Sequence, residues 1–293
     1  MKKNTIISIL VFMLILAFAS VTPAGGHGHK KKIKKGILLV AFGSSMPEAQ
    51  VSFKNIDKIV RKGFPGVPVR WAYTSHIIRN KLAKEGKKLD STETALAKMM
   101  DEGFTHVAVQ SLHTIPGEEY HGLVQSVRAF GMMSGGFERI MVGYPLLGTE
   151  DDLEKVAKAI IKNIPKDRKK QDAVVLMGHG THHPGNAFYA AMMYHFQQKD
   201  QNIFVGTVEG APTIDDIMAV LIKKKIKKAY LMPFMSVAGD HARNDMAGDE
   251  DDSWTSILTK AGIKCVPILK GTAEYDDIVD IWVVHLKTVL AHF

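Results

Sequence analysis

Cysteine is nearly absent from this 293-residue chain, which carries only Cys265, in the segment "GIKCVPIL". A single thiol excludes an internal disulfide framework and any cysteine-rich metal site. The apolar neighbours of Cys265 predict a buried strand residue. The sequence also contains neither a glycine-rich phosphate loop nor paired aspartates at predicted strand ends. The absence of both weighs against a nuclease or a phosphatase.

The N-terminal apolar run is too short to be a typical membrane span. It covers about fourteen residues from Ile6 to Ala19, whereas a bilayer-spanning helix needs roughly 20. Two lysines precede the run, and small residues and Pro23 follow it, as in a secretory signal peptide. We predict a signal over residues 1–24, cleaved near Ala24, and export to the periplasm. The alternative is an uncleaved N-terminal anchor.

Positive charge is in excess, with 38 Lys and Arg against 30 Asp and Glu. Part of the excess lies in a lysine-rich arm over residues 25–35, which contains "HGHKKKIKK". A run of this kind is more typical of a solvated linker than of a nucleic-acid patch, so no nucleic-acid partner is expected. A basic exported protein suits an anionic small ligand or an anionic surface, although net charge alone decides neither.

Strand-like runs alternate with helical patterns along the chain, which predicts an α/β fold with parallel sheets. The eight predicted strands divide into four and four, and they cover residues 36–42, 69–74, 106–112, 139–144, 173–178, 203–208, 229–234 and 265–269. We predict two similar α/β domains, each with a parallel four-stranded sheet flanked by helices and with a cleft between them. The predicted N-terminal domain covers residues 36–147 and the C-terminal domain residues 148–293.

The two halves repeat each other in sequence. "LLVAFGSSMPEA" aligns with "VVLMGHGTHHPGNA", and "YPLLGTEDDLEKVAKAI" aligns with "VPILKGTAEYDDIVDIW". In the last pair, Gly-Thr followed by acidic residues predicts a helix N-cap in each half. The alignment places three residue pairs at equivalent strand ends: Ser44 with His179, Ser75 with Glu209, and Glu119 with His241.

Three successive strand ends of the second half therefore carry His179, Glu209 and His241. Loops at the carboxyl edge of one parallel sheet converge, so these side chains can meet. Two imidazoles and a carboxylate suit borderline divalent metals such as cobalt, iron or zinc. Without a thiolate the metal is held less tightly, which favours a metal that is passed on. Taken singly, His179 could be a turn residue and Glu209 a helix cap, whereas His182 and His183 are expected outside the ligand set.

Several motifs resemble those of the anaerobic-pathway, class II cobalt chelatases of the CbiK family. They are "GILLVAFGSS", "HTIPGEEYH", "MGHGTHHPGN", "TVEGAPT" and "MPFMSVAGDHARNDMAGDEDDSW". The resemblance runs from about Lys35 to the C-terminus, and the N-terminal extension is similar to that of exported members. It implies a lyase that inserts Co²⁺ into sirohydrochlorin for cobalamin synthesis, with His179, His241 and Glu209 as metal ligands and catalytic residues.

Sirohydrochlorin carries carboxylates around its rim, so basic groups near the cleft should help to bind it. Arg243 and Arg79, together with Lys81 in "SHIIRNKL", are the candidates, and ordinary surface charge is the alternative. The "FGSSMP" turn offers Ser44, Ser45 and backbone amides to a substrate carboxylate. It could equally be only a tight turn.

Export raises a second question, because corrinoid synthesis is expected inside the cell. A periplasmic role in iron or haem handling would resolve the conflict, with Fe²⁺ as an alternative metal. "HTIPGEEYH" offers His113 and His121 outside the ligand set, and we favour His121 as an axial haem ligand at a subunit interface. The sequence has no C-x-x-C-H, so such a haem would be non-covalent.

The assembly is expected to be a homo-oligomer, and a tetramer is among the alternatives. The competing function is an exported two-lobed binding protein that keeps the chelatase fold and delivers a metal or haem to a transporter partner.

Overall fold

Eight strands and nine helices alternate in the computed structural model, which describes residues 32–293. The strands are β1 Lys35–Ala41, β2 Val69–Tyr73, β3 His106–Ser111, β4 Arg139–Gly143, β5 Ala173–Gly180, β6 Ile203–Glu209, β7 Lys228–Pro233 and β8 Lys264–Pro267. The helices are α1 Gln50–Gly63, α2 His76–Lys84, α3 Thr92–Asp101, α4 Glu118–Gly131, α5 Glu150–Asn163, α6 Ala187–Gln197, α7 Ile214–Lys223, α8 Trp254–Lys260 and α9 Asp276–Leu290. All eight predicted strands are present.

The strands form two four-stranded parallel sheets with the same topology. Their orders are β2-β1-β3-β4 and β6-β5-β7-β8. The predicted fold class and internal repeat are therefore confirmed. The central strands β1 and β5 are buried along almost their whole length, as expected for parallel strands with helices on both faces. Cys265 lies in β8 but is only partly buried.

One apolar core joins the two sheets. A single cluster of buried side chains contains Leu39 of β1, Leu176 of β5 and Trp282 of α9. Helix α9 also packs against α1, α5 and the strands β3 and β4 of the first sheet. The last helix of the chain thus covers part of the first half, and residues Ile33–Phe293 form one compact unit. The predicted division at residues 147 and 148 stays a prediction.

The two Gly-Thr segments begin different structures. Thr149 caps α5, where its side chain accepts a hydrogen bond from the backbone of Asp152 and Asp152 returns the bond in a capping box. The matching Gly271 and Thr272 instead begin a short 3₁₀ turn, and α9 starts only at Asp276. The predicted N-cap is confirmed for α5 in the first half, whereas in the second half Gly271 is the N-cap of the 3₁₀ turn that precedes α9.

The predicted signal peptide and most of the lysine-rich arm lie outside the described residues. No helix in the described range has the length and apolarity that crossing a membrane requires.

A buried histidine links the end of the first sheet to α5 and α9. The Nε2 atom of His285 lies 3.1 Å from both carboxylate oxygens of Asp152, and its Nδ1 atom lies 3.1 Å from the carbonyl oxygen of Tyr144. Both neighbours are acceptors, so both bonds form together only when each ring nitrogen carries a hydrogen. Burial raises the pKa of Asp152, but hydrogen bonds from His285 and Thr149 outweigh burial and hold that pKa below its usual value.

We expect His285→Leu to lower the free energy of unfolding by about 3 kcal/mol at pH 7, because it leaves the Asp152 carboxylate buried without its partner. The lowered pKa means that the contribution of Asp152 is complete above its ordinary value of 3.8 and is lost as the pH falls through the folded-state value. Urea unfolding at pH 7 and near pH 3 would measure both effects. The exposed His292→Leu is the matched control, and an equal loss in the two variants would contradict the prediction.

Candidate functional site

A cavity of about 640 Å³ lies between the carboxyl edges of the two sheets. Its walls come from the residues that follow β1, β2 and β3 in the first half and from the ends of β5, β6 and β7 in the second. All three pairs that the internal repeat aligns contribute to it: Ser44, Ser75 and Glu119 on one side, and His179, Glu209 and His241 on the other. The two edges therefore face a common space.

The structure brings His179, Glu209 and His241 together. The ring centroids of the two histidines are 4.7 Å apart, and their planes are nearly perpendicular at 89°. The Nδ1 atom of His179 lies 3.9 Å from Oε2 of Glu209. The predicted convergence of three strand ends is thus present, while the role of these residues as metal ligands stays a prediction.

Hydrogen bonds orient both imidazoles. His179 has its Nδ1 atom 3.0 Å from the carbonyl oxygen of Gly180, and His241 has its Nδ1 atom bonded to the carboxylate of Asp245. Because both partners accept, each Nδ1 donates, and in the neutral imidazole the lone pair is then on Nε2. A histidine held in this manner by an outer acceptor is the usual arrangement at metal sites.

The three side chains do not yet form a closed ligand set. In the described part of the chain, no three His, Cys, Asp or Glu side chains are close enough to enclose a metal ion. The carboxylate of Glu209 lies near Nδ1 of His179, on the side of the ring that already bonds Gly180. The Glu209 side chain is about half exposed, at 54%, and rotation would be needed to carry it towards the Nε2 atoms.

Two glycines shape the turn that carries His179. Gly178 lies under the ring of Tyr189, where a Cβ atom would come within 2.3 Å. Gly180 has φ of +84° and pairs in register with Glu209, so a Cβ atom there would lie 1.9 Å from the Glu209 carbonyl oxygen. Only glycine fits such a position without strain. The close approach of β5 and β6 at Gly180 thereby sets the spacing of His179 and Glu209.

Tyr189 packs against the turn that carries His179. Its side chain is buried at 2% exposure and reaches the cavity wall. Burial raises the pKa of Tyr189 to about 12, although hydrogen bonds from the backbone of Gly180 and His179 partly oppose the rise. The hydroxyl therefore stays neutral near pH 7 and holds the backbone of His179 in place.

The first half contributes hydroxyl groups and a neutral imidazole to the cavity. The Ser44 hydroxyl accepts a hydrogen bond from the backbone of Met46. Ser45 also lines the cavity, and no bond to its hydroxyl is found within residues 32–293. Burial lowers the pKa of His113 to about 4, so this imidazole is neutral near pH 7. Its Nδ1 atom lies 2.9 Å from the hydroxyl of Ser111.

The two predicted arginines lie elsewhere. Neither Arg79 nor Arg243 is among the described residues that line the cavity, and the Nε atom of each is buried without a hydrogen-bond partner. The pKa of Glu93 is lowered even though burial raises it, because Ser126 donates a hydrogen bond and Arg79 contributes positive charge nearby. Lys81, two positions after Arg79, does line the cavity.

His121 lies in the first turn of α4, outside the cavity wall. It is exposed, and its Nδ1 atom is 2.9 Å from the carbonyl oxygen of Gly117. The ring of His183, from the second half, has its centroid 4.9 Å away. In the neutral imidazole of His121 the lone pair is therefore on Nε2.

Sequence reasoning missed Asp245 and the part that Tyr189 plays. Asp245 follows His241 by four residues, and a spacing of four in a helical segment places two side chains side by side. This signal was available in "HARND". The position of the Tyr189 hydroxyl, in contrast, depends on how α6 packs beneath β5.

Known proteins resemble this chain over most of its length. Residues 35–291 match the family model described as cobalt chelatase (CbiK). The chain is 46% identical over 263 residues to the sirohydrochlorin cobaltochelatase CbiKC of Nitratidesulfovibrio vulgaris, covering 90% of this chain and 93% of the relative. It is 36% identical over 262 residues to the sirohydrochlorin cobaltochelatase of Salmonella typhimurium, covering 88% and 97%.

Among solved structures, SirB from Bacillus subtilis with Fe³⁺ has a TM-score of 0.60 at 15% identity. The match covers 89% of this chain and 97% of SirB. At this level of identity the likeness shows a common fold.

We expect Gly180→Ala to weaken Co²⁺ binding by about tenfold or more, because a methyl group at positive φ would be strained and would push β5 away from Glu209. Isothermal titration with Co²⁺ would measure the loss. Gly262→Ala is the matched control, since Gly262 has φ of +78° with no atom within 4 Å of the added Cβ. Equal Co²⁺ affinity in the two variants would contradict this account of the turn.

Proposed function

The chain belongs to the cobalt chelatase (CbiK) family, and we propose that it is a sirohydrochlorin cobaltochelatase, which inserts Co²⁺ into sirohydrochlorin in tetrapyrrole synthesis. The observation that carries the proposal is the convergence of His179, Glu209 and His241 on a cavity of about 640 Å³ between two sheets. A cavity of this size accommodates a small ligand.

In this proposal the Nε2 atoms of His179 and His241 bind the incoming Co²⁺, and Glu209 rotates to supply a carboxylate oxygen. Two imidazoles and one carboxylate leave coordination positions open for the macrocycle nitrogens. Because no thiolate holds the ion, the protein ligands can be exchanged for ring nitrogens. The cobalt is a substrate that passes through the site.

Insertion also requires two pyrrole N–H bonds to break, with both electron pairs staying on nitrogen to bind the metal. A histidine that holds the metal through Nε2 cannot accept a proton at the same atom. Glu118, Glu119 and the neutral His113 line the cavity outside the proposed ligand set and are available as acceptors. Glu209 could also accept a proton once it has released the metal.

Fe²⁺ is proposed as a second metal, since imidazole and carboxylate ligands bind both ions. The binding-protein alternative with a transporter partner is not favoured, because the curated relatives that cover most of the chain are chelatases.

Anaerobic incubation with sirohydrochlorin and Co²⁺, and separately Fe²⁺, tests the proposal through the absorbance change of the macrocycle. His179→Ala and His241→Ala should each lower the rate of insertion about 100-fold, because each removes a metal ligand. His182→Ala is the control, since His182 lies in the same loop, is exposed and does not line the cavity. Wild-type rates in both ligand variants would refute the metal site, and no acceleration by the wild type would refute the chelatase.

A haem site and export to the periplasm are proposed as well. The support for haem is the free Nε2 lone pair of the exposed His121, whose Nδ1 donates to Gly117. Neutral imidazole with this hydrogen-bonding pattern suits an axial ligand of haem iron. The support for export is the N-terminal sequence alone. A homo-oligomer, including a tetramer, stays a prediction.

We expect the wild-type chain, purified from a periplasmic extract, to show a haem Soret band that His121→Ala lacks. His182→Ala should keep the band. A His121→Ala protein that still purifies with haem would rule out this ligand, and recovery of the chain only from cytosol would rule out export.

A further inference from the structure

Most of the charged side chains that line the cavity are acidic. Its described lining residues include four carboxylates, from Glu118, Glu119, Glu209 and Asp240, and a single ammonium group, from Lys81. Such a lining attracts a metal cation but repels a macrocycle whose rim bears carboxylates. If the chain binds sirohydrochlorin, as the proposed function requires, Lys81 is the one lining group with a fixed positive charge.

The ammonium group of Lys81 has no polar partner among the described residues. Lys81 lies on α2 four residues after Ile77 and three after Ile78, so the three side chains share one face of the helix. All three line the cavity. This face therefore combines apolar surface with one positive charge at its far end.

Two large apolar side chains of the cavity wall are exposed to an unusual degree. Ile77 is 66% exposed and Phe42 is 37% exposed, although both belong to the cavity wall. The Phe42 ring lies 5.9 Å from the His179 ring, centroid to centroid. Large apolar side chains left open beside a metal-binding group offer contact surface to a ligand.

We propose that Ile77 and Lys81 on α2 form the subsite for the rim of the macrocycle. Lys81 pairs with a carboxylate of the substrate, and Ile77 packs against the adjacent ring periphery. Binding at α2 anchors one rim carboxylate on Lys81 and places the ring nitrogens towards His179 and His241. Lys81 thus determines orientation and selects carboxylate-rich macrocycles.

The other cations of α2 do not serve this purpose. Arg79 and Lys84 are absent from the described residues that line the cavity. Lys84 is also exposed, so it provides a matched control for removing one positive charge from the same helix.

The test compares Lys81→Met with Lys84→Met in a titration of the full chain with metal-free sirohydrochlorin, followed by macrocycle absorbance. We expect Lys81→Met to raise the Kd and the KM for sirohydrochlorin about tenfold, the usual size of a hydrogen bond to a charged group. The affinity for Co²⁺ should stay within twofold, because Lys81 is outside the proposed metal ligand set. Lys84→Met should match the wild type throughout.

Two further measurements separate charge from structure. The wild-type affinity should fall with rising KCl more steeply than that of Lys81→Met, because salt screens the lost ion pair. Lys81→Arg should restore most of the affinity. Ile77→Ser should weaken binding about threefold through lost apolar contact, with the salt dependence of the wild type.

Equal sirohydrochlorin affinity for Lys81→Met and the wild type would overturn the subsite and leave the proposed function in place. A loss in Lys81→Met that salt does not affect would also overturn it. A wild-type chain that neither binds nor metallates sirohydrochlorin would reject the proposed function and this inference together.

Discussion

The apolar core between the two sheets is the constraint on which the site depends. Leu39, Leu176 and Trp282 belong to one buried cluster, although they come from β1, β5 and α9. Because all strands are parallel and both sheets share one strand order, every loop of the cavity leaves from the carboxyl edge of its sheet. Close packing of the core fixes the distance between these edges, since protein interiors do not deform continuously. The cavity is therefore a consequence of core packing.

The repeated fold supports two different chemistries. At equivalent strand ends the first half places Ser44 and Ser75, and the second half places His179 and Glu209. Hydroxyl groups and a neutral imidazole suit contact with an organic ligand, whereas the imidazole and carboxylate pair suits a divalent cation. This division fits a reaction that joins a macrocycle and a metal ion.

The two imidazoles of the candidate metal site are held by hydrogen bonds, but the ligand set is not closed. Gly180 and Asp245 accept hydrogen bonds from the Nδ1 atoms of the two histidines, so that Nε2 is the atom with the lone pair in each neutral imidazole. Glu209 remains half exposed and outside a closed ligand set. A rigid set of four ligands would bind an ion as a structural element. Two oriented imidazoles with a movable carboxylate suit an ion that is received and then released.

Much of this architecture follows from the sequence alone. Apolar runs and helical periodicity are local signals, so they located all eight strands and revealed the repeat. The rule that parallel strand ends share an edge then predicted that His179, Glu209 and His241 would meet.

Tertiary structure decided the rest. Arg79 and Lys81 are both basic and only two residues apart, but two residues on a helix differ by about 200° in direction. Which of them faces the cavity depends on how α2 packs, and the return of α9 to the first sheet depends likewise on contacts between residues far apart in the chain.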